Sequence, residues 1–215
     1  MPKIISFVFN SLQENTYAID FGDGTCCIID PGCADPSEVS ALIGHIGQLR
    51  PLAILLTHGH ADHTAGVKAL LERFPGIPVY MSDADRYLFD GPTTDASALS
   101  TISVGPGSFE VITTPGHTPG GVCYLLEGNL FSGDTLFAGT IGRSDLPGGD
   151  YDKLIVSIMD KLMGLDGTLR VLPGHGPVST IADERTHNPF LQPFNEIEEE
   201  FDEDAPGIEI SPFLS

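Results

Sequence analysis

Basic side chains are scarce in this chain. Its 215 residues hold ten lysines and arginines against thirty aspartates and glutamates, a formal net charge of −20. A surface of that sign repels phosphate backbones and anionic membranes, so neither nucleic acid nor a membrane is an expected partner. No apolar run is long enough to span a bilayer. Met1-Pro2-Lys3-Ile4-Ile5-Ser6 leads straight into strand-like sequence, without the h-region and cleavage site of a signal peptide, and a cytoplasmic location is expected. Cysteine is sparse too. Cys26 and Cys27 are adjacent, Cys33 and Cys123 stand alone, and no Cys-x-x-Cys pair occurs, which excludes a zinc ribbon. Cys26, Cys27 and Cys123 lie in strand-like runs and read as core residues, not as ligands or disulfides. Neither a Gly-x-Ser-x-Gly elbow nor a phosphate-binding glycine loop offers a metal-free enzyme.

What is present suffices for one large core. Hydrophobic residues make up 41% and charged residues 19%, at a length that suits one domain over 1–194. An acidic tail over 195–215 follows, in which Glu196, Glu198, Glu199, Glu200, Asp202, Glu203 and Asp204 crowd together as a solvated segment. Strand-like runs cover 4–9, 16–21, 26–30, 52–57, 79–81, 109–113, 122–126, 129–131 and 169–172, the first two as an antiparallel meander. Helical spacing covers 38–49, a stretch ending near 73, 151–165 with Asp150 as N-cap, and 182–186. Glu127-Gly128 reads as a hairpin turn. A short helix at 83–89 and a Thr/Ser/Gly/Pro-rich loop fill most of 83–105. Strands and helices in both halves predict a layered α/β sandwich.

The densest chemistry is Thr57-His58-Gly59-His60-Ala61-Asp62-His63, three imidazoles and a carboxylate between an apolar strand and an amphipathic helix. A lone His-x-His arises by chance; this longer pattern after a strand reads as a metal site. His117, Asp134 and His175 each follow a strand-like run in a Gly/Pro turn, so strand ends can bring them to the same edge. Five of the seven histidines fall there. His45 reads as a helix-surface residue, and His187 as structural or supporting at most. His58, His60 and His117 form a three-histidine set with an open fourth position, as in catalytic zinc sites. Asp62, His63 and His175 form a second set, and Asp134 can bridge the two. Two divalent cations would exceed two aspartates and a hydroxide by about one positive charge, enough to attract an anionic substrate or a developing oxyanion.

In their order, these residues resemble the metallo-β-lactamase superfamily. Asp30-Pro31-Gly32 after a strand extends the match over nearly the whole chain. Pro115-Gly116-His117-Thr118-Pro119-Gly120, the Ser-Gly-Asp-Thr-Leu-Phe run at 132–137 and the Gly-Arg-Ser-Asp-Leu-Pro-Gly-Gly-Asp run at 142–150 resemble the short bacterial glyoxalase II-like (hydroxyacylglutathione hydrolase-like) branch. The resemblance implies a four-layer αββα sandwich with the metals at one edge of the two sheets, and hydrolysis of a small-molecule thioester such as a hydroxyacyl-glutathione. The longer glyoxalase II enzymes carry a C-terminal helical region with basic residues that hold glutathione. Here the chain ends in acid, and Arg143 and Arg185 are isolated.

The expected mechanism is attack by a hydroxide shared between two divalent ions, with Asp62 as the catalytic residue that orients it. Zinc is the first candidate, and iron or manganese also suits mixed His/Asp ligation. Sulfur dioxygenases of the same superfamily, which act on persulfides, are a second reading, because their single iron uses the positions of His58, His117 and Asp134. A lactonase, a β-lactamase or a phosphodiesterase would use the same centre. The charge argues against a nuclease and the start of the chain against a periplasmic β-lactamase. A metal-binding domain without activity is countered by the full ligand set. Oligomeric state is not legible.

Overall fold

The computed structural model describes residues 2–192 of the chain. The acidic tail predicted over 195–215 lies outside the described residues. Six strands form the first sheet, in the order β1 (Lys3–Phe9), β2 (Glu14–Asp20), β3 (Thr25–Ile29), β4 (Arg50–Leu55), β5 (Val79–Met81) and β6 (Thr94–Asp95). The second sheet contains β7 (Thr101–Val104), β8 (Gly107–Thr113), β9 (Val122–Leu126), β10 (Asn129–Gly133), β13 (Arg170–Pro173) and β14 (Ser179–Thr180), in the spatial order β14-β13-β10-β9-β8-β7. A two-stranded hairpin of β11 (Leu136–Phe137) and β12 (Thr140–Ile141) stands apart. The helices are α1 (Pro36–Ile46), α2 (Ala61–Thr64), α3 (Val67–Arg73), α4 (Tyr151–Lys161) and α5 (Ile181–His187).

Strand alternation explains the layering. On β3, Cys27 and Ile29 enter the core between the sheets, while Cys26 and Ile28 enter the one beneath the helices. The same split occurs on β9, where Val122, Tyr124 and Leu126 face the inter-sheet core and Cys123 faces away. Strands buried on both faces need cover on both, and helices supply it. Leu42 and Ile46 of α1 and Val67 and Leu70 of α3 close the first sheet. Leu154, Ile155 and Ile158 of α4 and Ile181 of α5 close the second. The result is the αββα sandwich. Each fully buried aliphatic side chain contributes about 1.5–3 kcal/mol.

Caps fix the helix starts. Asp35 accepts from the backbone of Ser37 and Glu38 in a capping box, with Pro36 in the first turn. Asp150 accepts from Lys153 N at 3.1 Å, as predicted. The predicted hairpin at Glu127-Gly128 joins β9 to β10, with Leu126 opposite Asn129. Two expectations fail. The helix predicted to run to residue 73 is two helices. The stretch 83–105 holds only a 3₁₀ turn at Asp83–Asp85 and contains β6 and β7.

Direction decides where the site forms. β1 and β3 flank β2 antiparallel, and β3 runs parallel to β4. In the other sheet, β8 and β10 flank β9 antiparallel, and β10 runs parallel to β13. The C-terminal ends of β1, β3 and β4 therefore share one edge of their sheet, and those of β8, β10 and β13 one edge of theirs.

Hydrogen bonds tie the sheets near that edge. Tyr17 Oη donates to Pro173 O (2.7 Å), Tyr124 Oη to Leu56 O (2.9 Å) and Val122 N to Thr57 O (2.9 Å). Leu56 and Thr57 immediately precede His58. We predict that Tyr124→Phe, which leaves a buried carbonyl without its donor, costs about 1–3 kcal/mol. A lower urea midpoint at unchanged slope would show it.

Candidate metal centre

All seven side chains predicted as ligands meet at the shared edge. His58 and His60 follow β4, Asp62 and His63 lie on α2, His117 follows β8, Asp134 follows β10 and His175 follows β13. Donor atoms of His58, His60 and His117 lie within 4.8 Å of one another, as do those of Asp62, His63 and His175. Asp134 sits between the sets: Oδ1 is 3.3 Å from His63 Nε2, and Oδ2 is 3.5 Å from His117 Nε2 and 3.6 Å from His175 Nε2. The remaining two histidines stay away. His45 is exposed on α1 with its ring edge-on to Phe7, and His187 is exposed at the end of α5.

The outer hydrogen bonds decide which nitrogen of each ring faces inward. Nδ1 of His117 lies 2.7 Å from Arg143 O and Nδ1 of His175 lies 3.0 Å from Leu12 O. A carbonyl only accepts, so both Nδ1 atoms carry hydrogen and both Nε2 atoms are free to donate a lone pair. His63 Nδ1 is held by Asp30 Oδ2 at 3.1 Å and His58 Nδ1 by Thr57 Oγ1 at 3.1 Å. His60 instead turns Nδ1 inward, 2.9 Å from His117 Nε2.

This pattern tests whether a cation fits. The inward nitrogens of His63 and His175 face each other at 3.3 Å, each with its other nitrogen already a donor. Without a proton or cation between them, two lone pairs would oppose. His58 Nε2 and Asp134 Oδ1 are buried with no hydrogen-bond partner. Buried polar atoms without partners are rare and costly. Bound cations would give these inward-facing atoms partners.

Electrostatics point the same way. Burial holds His58 well below the usual imidazole range, and burial beside His117 lowers His60. Burial opposes charge on His63, yet Asp134 and Asp30 outweigh it and hold the ring well above its ordinary value. His175 is raised against burial by its hydrogen bond to Asp62 and by Asp134. Burial would also raise Asp134, but His63, His58 and His117 hold it far below the usual carboxylate range. Asp62 is likewise lowered against burial, by His175 and His63. Behind His63, Glu14 has Oε1 3.9 Å from Nδ1, and burial pushes its carboxyl up to about 9.

Three further carboxyl groups support the donors from outside. Asp30 Oδ1 and Oδ2 accept from Thr57 N (2.7 Å) and Thr57 Oγ1 (2.6 Å). Asp85, fully buried, accepts from Gly59 N (3.0 Å), Thr118 Oγ1 (2.7 Å) and Gly120 N (2.7 Å), clamping the His58–His60 loop to the His117 loop. Glu14 is the third. Only Asp30 had a signal, the Asp-Pro-Gly turn. Gly174 is required by closeness: a Cβ there would overlap Asp134 Oδ1 and come within 2.6 Å of His63 Cε1.

The donors open onto a cavity of about 520 Å³, whose outer wall includes Leu12, Phe137, Ile141, Arg143 and Leu146. The family model for the metallo-beta-lactamase superfamily matches residues 10–175, from the loop after β1 to the last predicted ligand. The chain belongs to that superfamily. It is 34% identical to the hydroxyacylglutathione hydrolase GloC of Haemophilus influenzae, over 84% of this chain and 94% of that one. It is 39% identical to the B3 metallo-beta-lactamase BLEG-1, with a TM-score of 0.80 over 88% of this chain and 99% of that one. TTHA1623, solved in a di-iron-bound form, is 35% identical with a TM-score of 0.76, over 87% of this chain and 100% of that one. That membership, with the similarity to hydrolases, supports a metal-dependent hydrolytic enzyme. No helix among the described residues is long and apolar enough to cross a membrane.

Two predictions follow from the donor network. Replacing Asp85 by Asn removes one acceptor oxygen from the loop clamp and should cost about 2–4 kcal/mol in urea unfolding while weakening metal uptake. The second concerns pH. In the metal-free protein, raised His63 and His175 contribute stability below their ordinary value of 6.5 that is lost as pH rises through the raised values. The depressed Asp134 and Asp62 contribute above 3.8 and fade as pH falls. These four groups favour the metal-free fold between those values, while the lowered His58 and His60 oppose it as pH falls below 6.5. Metal must displace the histidine protons, so zinc affinity should tighten about tenfold per pH unit for each proton released, from about pH 6 upward. Calorimetry in buffers of different ionisation enthalpy reads the proton count.

Proposed function

We propose that the chain hydrolyses a thioester at a dinuclear metal centre. The observation that carries this reading is the completeness of the second donor set. Asp62, His63 and His175 converge as closely as the three-histidine set does, with Asp134 against both. A single-iron dioxygenase built on His58, His117 and Asp134 would leave that second set without a task.

Bound divalent ions would lower the pKa of a coordinated water from 15.7 to about 7 and polarise the substrate carbonyl. His58, His60 and His117 would hold one ion with a position left open, the donor pattern of catalytic zinc. Asp62, His63 and His175 would hold the other, and Asp134 would touch both. Iron or manganese is compatible with the same donors.

The chain's own contribution beyond ligation centres on Asp62. Its side chain is 18% exposed and lies on the cavity wall, with Oδ2 3.3 Å from His175 Nε2. Held ionised by His175 and His63, it orients a water and accepts its proton. The leaving group sets a further constraint. Apart from the donor histidines, the described residues lining the cavity include no lysine, tyrosine or cysteine that could act as a general acid. A thiolate leaves with little protonation, whereas an amide nitrogen or an alkoxide needs a proton. That favours a thioester over a lactam or lactone. The similarity to GloC supports the same bond class.

The test is Asp62→Asn, with hydrolysis of acyl-glutathione and acyl-CoA thioesters followed alongside metal content. A fall in kcat of about 10²- to 10⁴-fold with metal retained in the three-histidine set is expected. Unchanged turnover would overturn the role of Asp62. Oxygen uptake with a persulfide, in place of thioester hydrolysis, would overturn the hydrolase reading.

A further inference from the structure

We propose that the thioesters served by this centre have an uncharged, largely apolar thiol arm, and that Leu12, which shares the cavity wall with Phe137, sets this preference. The inference rests on the hydrolase reading and asks which thioester.

Leu12 is 63% exposed, and its loop is tightly held. Asn10 and Gln13 adopt left-handed φ values of 51° and 57°. Asn10 Oδ1 accepts from Leu12 N (2.9 Å), and Asn10 Nδ2 donates to Gly32 O and Asp62 O, each at 3.0 Å. Leu12 O accepts from His175 Nδ1. The bonds that fix Leu12 at the cavity lip are therefore the ones that orient His175 and the Asp62 backbone. An apolar group cannot be held at such a place by burial. Its placement makes sense as a contact for something that enters the cavity. Phe137 flanks the same ligand from the β11–β12 hairpin, its ring 6.2 Å from that of His175, and Ile141 and Leu146 extend the apolar wall.

Charge completes the case. Among the described residues, Arg143 is the one lysine or arginine on the cavity wall. Its Nε and a terminal nitrogen donate to the two carboxyl oxygens of Asp145 at 2.8 and 2.9 Å, a bidentate pair that offsets part of its charge. Residues 193–215 contain no lysine or arginine and cannot add one. A glutathionyl arm, with a pair of carboxylates and an ammonium, meets no unpaired lysine or arginine among the described residues of the cavity wall. An uncharged arm meets Leu12 and Phe137 at no such cost. In the reaction, the acyl C–S bond breaks as water oxygen bonds to the acyl carbon: the acyl group leaves as a carboxylate, the sulfur leaves as a thiol with one of the two water protons, and the other proton passes through Asp62 to solvent.

The test uses full-length, metal-loaded protein and two acetyl thioesters that differ only in the arm, S-acetylglutathione and S-acetyl-N-acetylcysteamine. The uncharged thioester should have the higher kcat/KM by about tenfold or more, and Leu12→Ser should erase that ratio mainly through KM. Asp145→Asn should raise kcat/KM for the glutathione thioester by about threefold to tenfold, with little effect on the other. Calorimetry with the matching S-benzyl thioethers reads arm preference without turnover. Preference for the glutathione arm in both assays, or a ratio that Leu12→Ser leaves untouched, would overturn the inference while sparing the hydrolase reading. Thioethers that bind in the stated order while no thioester turns over would overturn the hydrolase reading instead.

Discussion

The site depends on one buried carboxyl group, that of Asp30. It lies at the end of β3 in a left-handed backbone conformation, φ 46°, which side chains other than glycine seldom adopt. In that pose it reaches the end of β4 through Thr57 N and Oγ1, and α2 through His63 Nδ1. A buried acid must be saturated with donors, and here the donors come from the two segments that carry the His-x-His-x-Asp-His motif. Strain at one backbone position is offset by three hydrogen bonds that set the strand-to-helix turn. The motif's spacing places four ligands close in sequence; Asp30 makes them close in space.

Around that anchor the rest follows a common logic, in which inward atoms such as His58 Nε2 and Asp134 Oδ1 lack partners while the outward ring nitrogens of His63, His117 and His175 are bonded. Carbonyls of Leu12 and Arg143 hold His175 and His117 from outside, and Asp85 holds the loops between. What remains inward is a ring of lone pairs and carboxylates. Such a cluster is electrostatically incomplete on its own, and protons on His63 and His175 are the substitute available without metal. With metal bound, positive charge would be concentrated at the ring, so an acidic protein with so few cations could still accept an electron-rich substrate.

Much of this was legible in the sequence, for physical reasons. Strand ends, glycine turns and titratable ligands recur together because rigid edges are where loops can hold chemistry, so His117, Asp134 and His175 could be read beside the first motif. The two cores were readable in the alternation of Cys26, Cys27, Ile28 and Ile29. The break between α2 and α3 was not, since it comes from tertiary contact. Gly66 N donates to Pro31 O at 2.8 Å, and a Cβ at Gly66 would overlap Cys33 Sγ, so the helix yields to the loop after β3. The strand Thr101–Val104 was hidden because an edge strand needs only Ile102 and Val104 inward, and serines and threonines fill the other face. Asp85 and Glu14 were beyond reach: a lone acid has no spacing that separates a buried clamp from a solvated surface.

The same reasoning bears on specificity. The donors of a dinuclear centre are fixed by its chemistry, so related chains can keep them while their substrates diverge. What varies is the outer wall, and here that wall is built by the loop after β1, the β11–β12 hairpin and the Arg143 turn. Each also serves the centre directly: Leu12 O and Arg143 O orient ligands, and Phe137 lies against the His175 ring. A substitution in the backbone-bonded parts of these segments would disturb the donors, whereas the side chains of Leu12 and Asp145 make no hydrogen bond to a donor. Specificity in this architecture can therefore change side chain by side chain at the lip while the centre beneath stays intact. Differences in substrate among close relatives are to be sought there, not among the ligands they share.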